Sequence, residues 1–525
     1  MKQIYKWHRK ISIIIAIPVI LWAASGFMHP IMTSFRPKMA TQVLQPLAID
    51  THQIKLSLTE ALQNNKIDSF TNFRFVHIDT NWFYQVQRGK NIEPIYLSTK
   101  TGKILRKGDW IYAQYLSKQF LEGQPNRSGK KDSTIAGVAA IQDCCDAAAV
   151  CVLKNSIGAK VLDAKLVTSF NDEYKSVNKI LPVWEVAFDR NDGIRIYVET
   201  TQDRFALAMD NQRAIFNQLF ALIHTWGWLD FLGKGKLVVE ITLNILALMT
   251  VVFGLIIFFK TKSKKANGNT VVKARKAHRV TSICIAFFTL AFVFSGGYHA
   301  ASKLKKNTSA DYFDQHWFLT ANTSIDLKGI QWALKLPISN ISLVHIVTGD
   351  FYQVNTVSLQ GNNSKPIAKD MMKKMVMPVP TTTYLHLPDL AILKQGETMY
   401  AHYLANQFSG NSENDISKTE VITKFAGEYG FINKLLPVTK VEYGKNLNER
   451  YYVETASGKL SVKINNLDML EGYSFAFLHK HEFLTPLGKG VKDFSTMFWA
   501  AAQIALVTVG LMLFFKVQQR KKRVD

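Results

Sequence analysis

The chain opens on a stretch that returns, slightly altered, near its middle. Trp7-His8-Arg9 leads into an apolar run that ends in Ser25-Gly26-Phe27-Met28-His29, and Ala277-His278-Arg279 leads into one that ends in Ser295-Gly296-Gly297-Tyr298-His299. In both stretches the second histidine follows the first after 21 residues. On a helix, 21 residues rise about 31 Å, close to the hydrocarbon thickness of a bilayer, and bring the second histidine within roughly 60° of the first. Each stretch therefore predicts a membrane-spanning helix with an imidazole near each face.

Composition agrees with a membrane protein that has large polar parts. Of the 525 residues 47% are hydrophobic and 20% are charged, with a mean hydropathy near zero. These averages are typical of apolar spans combined with ordinary globular domains. The net charge of +24 is concentrated in basic clusters beside the apolar runs, around residues 2–10, 260–279 and 516–523. Such placement marks the cytoplasmic side and argues against nucleic-acid binding, for which no motif is present.

Four apolar runs predict four transmembrane helices with both termini in the cytoplasm. A secretory signal peptide is the alternative for the first run, because basic residues precede it and Ala23-Ala24-Ser25-Gly26 is small. We favour a retained anchor, since the copy of this run lies in mid-chain. The predicted spans are 11–30, 236–259, 280–300 and 491–515, with a cytoplasmic loop at 260–277 and a cytoplasmic tail at 516–525.

Two polar segments, 31–211 and 301–470, are predicted to lie in the periplasm, followed by interfacial helices at 212–235 and 471–490. Motifs in the first segment return in the second, which predicts an internal duplication of helix, outer domain and helix. Alternating residues and turns at Gly102 and Gly458 predict small antiparallel sheets, so the fold class is an α+β membrane protein with a four-helix transmembrane bundle. The repeated motifs include Val76-His77-Ile78 with Val344-His345-Ile346, Asn178–Val183 with Asn433–Val438, and Tyr197-Val198-Glu199-Thr200 with Tyr452-Val453-Glu454-Thr455.

An insertion at about 121–160 distinguishes the first half, because the offset between the copies falls from 288 residues at Tyr112/Tyr400 to 255 at Asn178/Asn433. It contains Cys144, Cys145 and Cys151, for which a disulfide is favoured over an iron or copper site. Cys284 lies in an apolar run and is predicted to be a packed small side chain. The absence of Cys-x-x-Cys-His argues against covalently attached c-type haem.

Six of the 13 histidines occupy matched positions at the ends of the predicted spans. One interfacial histidine can be explained by reach to the lipid headgroups, but three matched pairs indicate function. A proton relay would need carboxylates, of which Glu240 alone is near, and zinc would usually add cysteine or carboxylate ligands. Haem b fits better, because its iron takes axial histidines and its flat ring packs between helices. The candidate axial ligands are His8, His29, His224, His278, His299 and His479.

The pairing of these histidines follows from which face each one occupies. His8 and His278 are predicted to hold one inner haem, whereas His29, His299, His224 and His479 could hold two outer haems, or one with a spare pair. We therefore expect two haem b groups, or three. The small stretches Ser25-Gly26 and Ser295-Gly296-Gly297 would leave room for a porphyrin edge or for close helix packing. His481 is unmatched and is left out, His77 and His345 are predicted to serve packing, and no catalytic residue is singled out.

The Trp7-His8-Arg9 opening, the Ser-Gly-x-x-His endings, the Tyr-Val-Glu-Thr strands and the segments around His224 and His479 together resemble the PepSY-associated transmembrane family. The resemblance covers nearly the whole chain except the cysteine-bearing insertion, which shorter members lack. It implies PepSY domains on the outer side of the bacterial inner membrane. It also implies a haem-containing reductase of ferric siderophores or other ferric chelates in iron acquisition, supplied by a quinol or a cytoplasmic reductase.

Two other functions remain open. The chain could be a non-enzymatic membrane-anchored protein whose PepSY domains bind peptides or modulate a protease, or it could transport a chelate. The first leaves the matched histidines without a role. No Gly-x-Gly-x-x-Gly stands between a strand and a helix, so a built-in nicotinamide or flavin domain is not expected.

Overall fold

A computed structural model describes residues 1–90, 92–124, 158–263, 265, 267–304, 312–357, 381–387 and 389–522. Cys144, Cys145 and Cys151 lie outside the described residues, so the expected disulfide or metal site stays a prediction. In chain order the α-helices are α1 (Lys2–Met32), α2 (Leu58–Asn64), α3 (Gly108–Glu122), α4 (Asn211–Ile223), α5 (Lys234–Lys260), α6 (Thr270–Ser302), α7 (Leu327–Leu334), α8 (Gly396–Ser409), α9 (Asn466–Ser474) and α10 (Lys489–Lys522).

The strands belong to antiparallel pairings throughout the described residues. They are β1 (Ser69–Phe70), β2 (Asn72–Ile78), β3 (Asn81–Gln87), β4 (Ile95–Ser98), β5 (Val161–Val167), β6 (Val183–Phe188), β7 (Arg195–Glu199), β8 (Arg204–Met209), β9 (Phe318–Leu319), β10 (Ile338–Ile346), β11 (Gly349–Thr356), β12 (Thr381–His386), β13 (Ile416–Ile422), β14 (Val438–Tyr443), β15 (Glu449–Glu454) and β16 (Lys459–Ile464).

The chain divides into two compact units, of which the first comprises Met1–Arg36, Gln212–Asn307 and Asn466–Asp525. Within the described residues, α1, α5, α6 and α10 are the four helices long and apolar enough to cross a bilayer. Helix α1 packs against α5 and α10, and α6 packs against the same two helices. The protein is thus an α+β protein with four candidate membrane spans, as the apolar runs predict.

All four helices are longer than the predicted spans, because helical geometry continues into their polar ends. The clearest case is α6, which begins ten residues before its predicted span. There the Asn269 side chain accepts hydrogen bonds from the backbone N–H groups of Val271 and Val272. This N-cap supplies partners to otherwise unpaired N–H groups and lets the helix start among basic residues.

The second unit, Pro37–Asn211 with Thr308–Asn465, contains both polar segments. A three-stranded sheet β2-β3-β4, helix α3 and a four-stranded sheet β5-β6-β7-β8 come from the first segment. The same succession comes from the second segment as β10-β11-β12, α8 and β13-β14-β15-β16. Gly102 and Gly458 adopt φ of 68° and 65°, a left-handed conformation that suits the predicted turns.

The two segments contact each other through a strand pairing, through hydrogen bonds and through buried aromatic rings. Strand β1 pairs with β9, and the buried rings of Phe70 and Phe318 lie 6.2 Å apart. The backbone N–H of Phe75 donates to Asn340 Oδ1, and that of Leu343 donates to Asn72 Oδ1. The segments therefore share one hydrophobic cluster, and each also buries a second cluster made of its own residues.

Candidate functional site

Two of the matched histidines lie against each other in the first unit. The ring centroids of His224 and His479 are 6.4 Å apart, and their planes are 79° apart. His224 directly follows α4, and His479 ends a short π-helical turn, Phe475–His479, that follows α9. Phe220 and Phe475, each four residues earlier, stack on these imidazoles at 4.5 and 4.7 Å. The same local arrangement thus orients both rings.

A serine on a long helix is within hydrogen-bond distance of each of these imidazoles. Ser25 Oγ lies 2.7 Å from His224 Nδ1, and Ser295 Oγ lies 3.2 Å from His479 Nδ1. Each hydroxyl also donates to a carbonyl one turn earlier in its own helix, that of Leu21 or Ala291.

The double role of each serine selects the tautomer of its histidine. A hydroxyl has one proton, so a serine that donates to the helix carbonyl accepts from the Nδ1–H of the imidazole. A neutral imidazole protonated on Nδ1 has its lone pair on Nε2. In the described part of the chain, neither Nε2 of His224 nor that of His479 has a hydrogen-bond partner. Both Nε2 atoms are therefore available as ligands.

The matched small residues serve more than one purpose. A Cβ on Gly296 would lie 3.7 Å from His479 Cε1, so this glycine faces the imidazole. A Cβ on Gly297 would lie 3.2 Å from the Asn244 Cβ, and one on Gly26 would lie 3.9 Å from the Ala500 Cβ. Gly26 and Gly297 thus allow close helix packing, one of the two explanations left open by the sequence.

His29 and His299 contact the same two phenylalanines. The ring of His29 lies 5.5 Å from that of Phe220, and the ring of His299 stacks on Phe475 at 4.3 Å. His299 Nδ1 is also 2.6 Å from the Glu471 carboxylate, a partner that the sequence did not indicate. The four histidines predicted at the outer face therefore form one cluster, linked through Phe220 and Phe475.

His8 and His278 lie near the other ends of α1 and α6 and contact matched glycines. A Cβ on Gly254 of α5 would lie 3.3 Å from His8 Cε1, and one on Gly510 of α10 would lie 3.3 Å from His278 Cε1. His8 Nδ1 lies 3.0 Å from the Thr250 carbonyl, whereas the buried His278 Nδ1 has no hydrogen-bond partner among the described residues.

His481, which has no matched histidine in the first half, lies beside the outer cluster and is 1% exposed. Its Nδ1 is 3.1 Å from Ser495 Oγ, and its Nε2 has no hydrogen-bond partner within the described residues. The ring contacts Phe288 and Phe292. Trp226 holds the equivalent place in the first half, two residues after the matched histidine and also at positive φ. That spacing was the available signal that His481 replaces an apolar side chain.

No protein-family model matches this chain, and no curated protein matches it. A proposal for its function therefore depends on the arrangement of its own side chains.

Proposed function

We propose that this chain is a haem b protein that carries electrons across the bilayer and reduces ferric iron, held by a siderophore or a similar chelate, on the periplasmic side. The neighbouring pair His224 and His479 carries the proposal. A metal ion about 2.0–2.1 Å from one nitrogen of each of two facing imidazoles separates the ring centres by roughly 6 Å. The observed separation is 6.4 Å, and the Nε2 atoms of both rings are free to ligate.

The surroundings of this pair also fit a porphyrin. Phe220 and Phe475 provide apolar aromatic contacts, and Gly296 presents no side chain towards His479. Ser25 and Ser295 hold the imidazoles through Nδ1, as partners outside the coordination shell commonly do for ligating histidines. When bound, haem b supplies a one-electron Fe(III)/Fe(II) couple whose potential depends on the axial ligands and their hydrogen bonds. The residues of this chain orient the ligands and exclude water.

We also propose that His8 and His278 would hold a second haem. These residues precede His29 and His299 on the same two helices by 21 positions, about 31 Å of helix. Redox groups near both ends of α1 and α6 would provide an electron path along the bundle. His29 and His299 contact Phe220 and Phe475, as the pair His224 and His479 does. If the chain binds three haems, His29 and His299 would hold the third.

The proposed orientation places both termini in the cytoplasm of a bacterium and the second unit in the periplasm. The three basic clusters support it through the positive-inside rule. We also propose that the chain is an internal duplication related to the PepSY-associated transmembrane family. Two matched side-chain networks support the duplication: Gln85 donates to Tyr96 and to the Thr200 carbonyl, and Gln353 donates to Tyr384 and to the Thr455 carbonyl.

Ferric chelates are a suitable substrate class, because one electron converts Fe(III) to Fe(II), which hard oxygen donors hold less strongly. The electron enters from a quinol or a cytoplasmic reductase and leaves to the chelate outside. Iron release then follows from the lower charge of the metal, without a further chemical group from the protein.

Optical spectroscopy tests the haem assignment. Protein purified from haem-replete cells should show reduced b-type bands, with haem quantified as the pyridine complex. His224→Ala/His479→Ala and His8→Ala/His278→Ala should each lose about one haem equivalent. His402→Ala is the matched control, because both ring nitrogens of His402 already have partners, Glu413 and Thr419. A colourless preparation would overturn the proposal and favour a peptide-binding or transport function.

The substrate is tested separately. Chemically reduced protein is mixed with a ferric siderophore under argon, while a ferrous-specific chromophore traps the product. Reoxidation of the haem bands and appearance of the ferrous complex should proceed together. If the haem-loaded protein stays reduced, ferric chelates are not its substrates, and only the electron-carrier part of the proposal is kept.

A further inference from the structure

Two imidazoles and a carboxylate converge in the second unit. Asp350 Oδ1 lies 2.7 Å from His345 Nδ1 and 3.6 Å from His316 Nε2. The rings of His316 and His345 are parallel within 5° and stacked at 4.0 Å. All three side chains are about one-third exposed. One potential ligand atom from each residue lies within 4.8 Å of the other two.

The β10–β11 hairpin brings two of these groups together. His345 and Asp350 are directly opposite each other across the two strands, so their side chains share one face of the sheet. His316 comes from the segment before β9, and its ring contacts Phe318 at 4.8 Å. The ligand atoms are thus supported by strands and by a buried aromatic side chain.

The equivalent hairpin of the first segment provides an internal comparison. His77 corresponds to His345, and its opposite residue on the neighbouring strand is Trp82, where the second hairpin has Asp350. The rings of His77 and Trp82 are 5.0 Å apart. The expected packing role therefore describes His77, whereas His345 lies in a polar set that the sequence did not indicate.

We propose that His316, His345 and Asp350 bind a divalent first-row transition-metal ion. Imidazole nitrogen and carboxylate oxygen together suit Zn²⁺, Fe²⁺ and their neighbours better than Mg²⁺ or Ca²⁺, which prefer oxygen ligands alone. Ligand atoms bound about 2.0–2.2 Å from one ion are separated by roughly 3–4 Å, so small side-chain rotations close the set. The partial exposure of the three residues leaves coordination positions for water or an external ligand.

Metal binding is measured on the full-length protein in detergent after treatment with a chelator. Zn²⁺ is titrated by calorimetry, and Co²⁺ is titrated by its visible absorption, which reports nitrogen and oxygen coordination. The background carries Cys144→Ser, Cys145→Ser and Cys151→Ser, because these thiols are the other metal-ligand candidates. His316→Asn, His345→Asn and Asp350→Asn are compared with His77→Asn, and circular dichroism and the melting temperature verify folding.

One equivalent of Zn²⁺ should bind in the background protein and in His77→Asn. Each of the three ligand variants should weaken binding at least tenfold and change or abolish the Co²⁺ spectrum. Equal binding in the ligand variants and the background would overturn the proposal, as would the absence of any binding in the folded background protein. If one ligand variant fails to fold, the other two still decide the outcome. The proposal does not depend on haem, since haem content and Zn²⁺ stoichiometry are measured separately.

Discussion

Glu199 and Lys459 are 260 residues apart in the chain, and the Lys459 ammonium lies 2.7 Å from the Glu199 carboxylate. Arg204, the cross-strand neighbour of Glu199, bonds to Glu199 and to Glu454. Glu454 is in turn the cross-strand neighbour of Lys459. Glu199 and Glu454, the glutamates of the two Tyr-Val-Glu-Thr motifs, are each 1% exposed. Their ion pairs join the two segments, because Arg204 comes from the first segment and Lys459 from the second.

This ion cluster predicts a loss of stability in acid. Burial by itself raises the pKa of Glu199, but the charges of Lys459 and Arg204 outweigh burial and lower the pKa to about 2. A carboxylate with a depressed folded pKa contributes stability above its unfolded pKa, about 4.3, and loses it as the pH falls towards 2. The melting temperature should therefore fall between pH 4.3 and 2, and this fall should be smaller in Glu199→Gln.

At neutral pH, Glu199→Gln should destabilise the folded protein by roughly 3 kcal/mol or more, because it removes a buried carboxylate that pairs with both Arg204 and Lys459. Glu420→Gln is the control, since the Glu420 side chain is 45% exposed. Removing the ion pairs of this partly exposed carboxylate with Lys418 and Lys440 should cost about 1 kcal/mol or less. Equal melting temperatures for the two variants would contradict the role assigned to the cluster.

The serine partners of the outer histidines should tune haem binding. Ser25→Ala and Ser295→Ala remove the acceptor of Nδ1–H and should lower haem affinity by about 10–100-fold, with a shifted midpoint potential. Haem titration and a redox titration followed at the reduced α band measure the two effects. Ser282→Ala is the control, because its hydroxyl bonds to the Arg279 carbonyl of the same helix. Unchanged affinity and potential in both variants would exclude the positioning role.

A larger side chain at either of two glycines should displace one of the inner histidines, His8 or His278. Gly254→Val and Gly510→Val extend a side chain from a Cβ that already lies 3.3 Å from His8 or His278. The displaced imidazoles should release about one haem equivalent while the outer haem stays bound. Gly490→Val is the control, since a Cβ there meets no described atom within 4 Å. Full haem content in both glycine variants would argue against an inner site at these residues.

Two further matched glycines begin α3 and α8 of the second unit and lie against tyrosine rings. A Cβ on Gly108 would lie 2.6 Å from the Tyr96 ring, and one on Gly396 would lie 2.6 Å from the Tyr384 ring. Alanine at either position should destabilise the unit by about 1–3 kcal/mol through overpacking. Thermal unfolding measures the loss, and Gly430→Ala, with no described atom within 4 Å of its Cβ, should have little effect. The prediction is wrong if all three variants have the same melting temperature.

His481→Phe should keep full haem content and change the free energy of unfolding by less than about 1.5 kcal/mol. The variant removes a buried Nε2 without a described partner and extends the contacts with Phe288 and Phe292, while Ser495 loses one hydrogen bond. Haem quantification and thermal unfolding provide the measurements. Loss of a haem equivalent would instead identify His481 as a ligand.

Hydropathy and repeats were sufficient for the four long helices and for the strand-turn-strand segment at Gly458. After Gly102 the predicted second strand is replaced by an isolated bridge between Leu97 and Ile104. The helices extend beyond the predicted spans. In α6, for example, charged residues in the first turns lower the hydropathy without breaking the helix. The contact between His224 and His479 depends on how two distant turns pack, so the sequence could only place both at one face. His316 and Asp350 occur in one half of the chain, so repetition between the halves could not indicate them.

The pairing of β1 with β9 has a consequence for biogenesis. Ser69 and Phe70 are synthesised long before Leu319 and Phe318, and Glu199 exists well before Lys459. A nascent chain that has completed its first half therefore carries an uncovered edge strand and a carboxylate destined for burial. Such an intermediate exposes an unpaired strand edge, so we expect chains truncated after α6 to be degraded instead of accumulating.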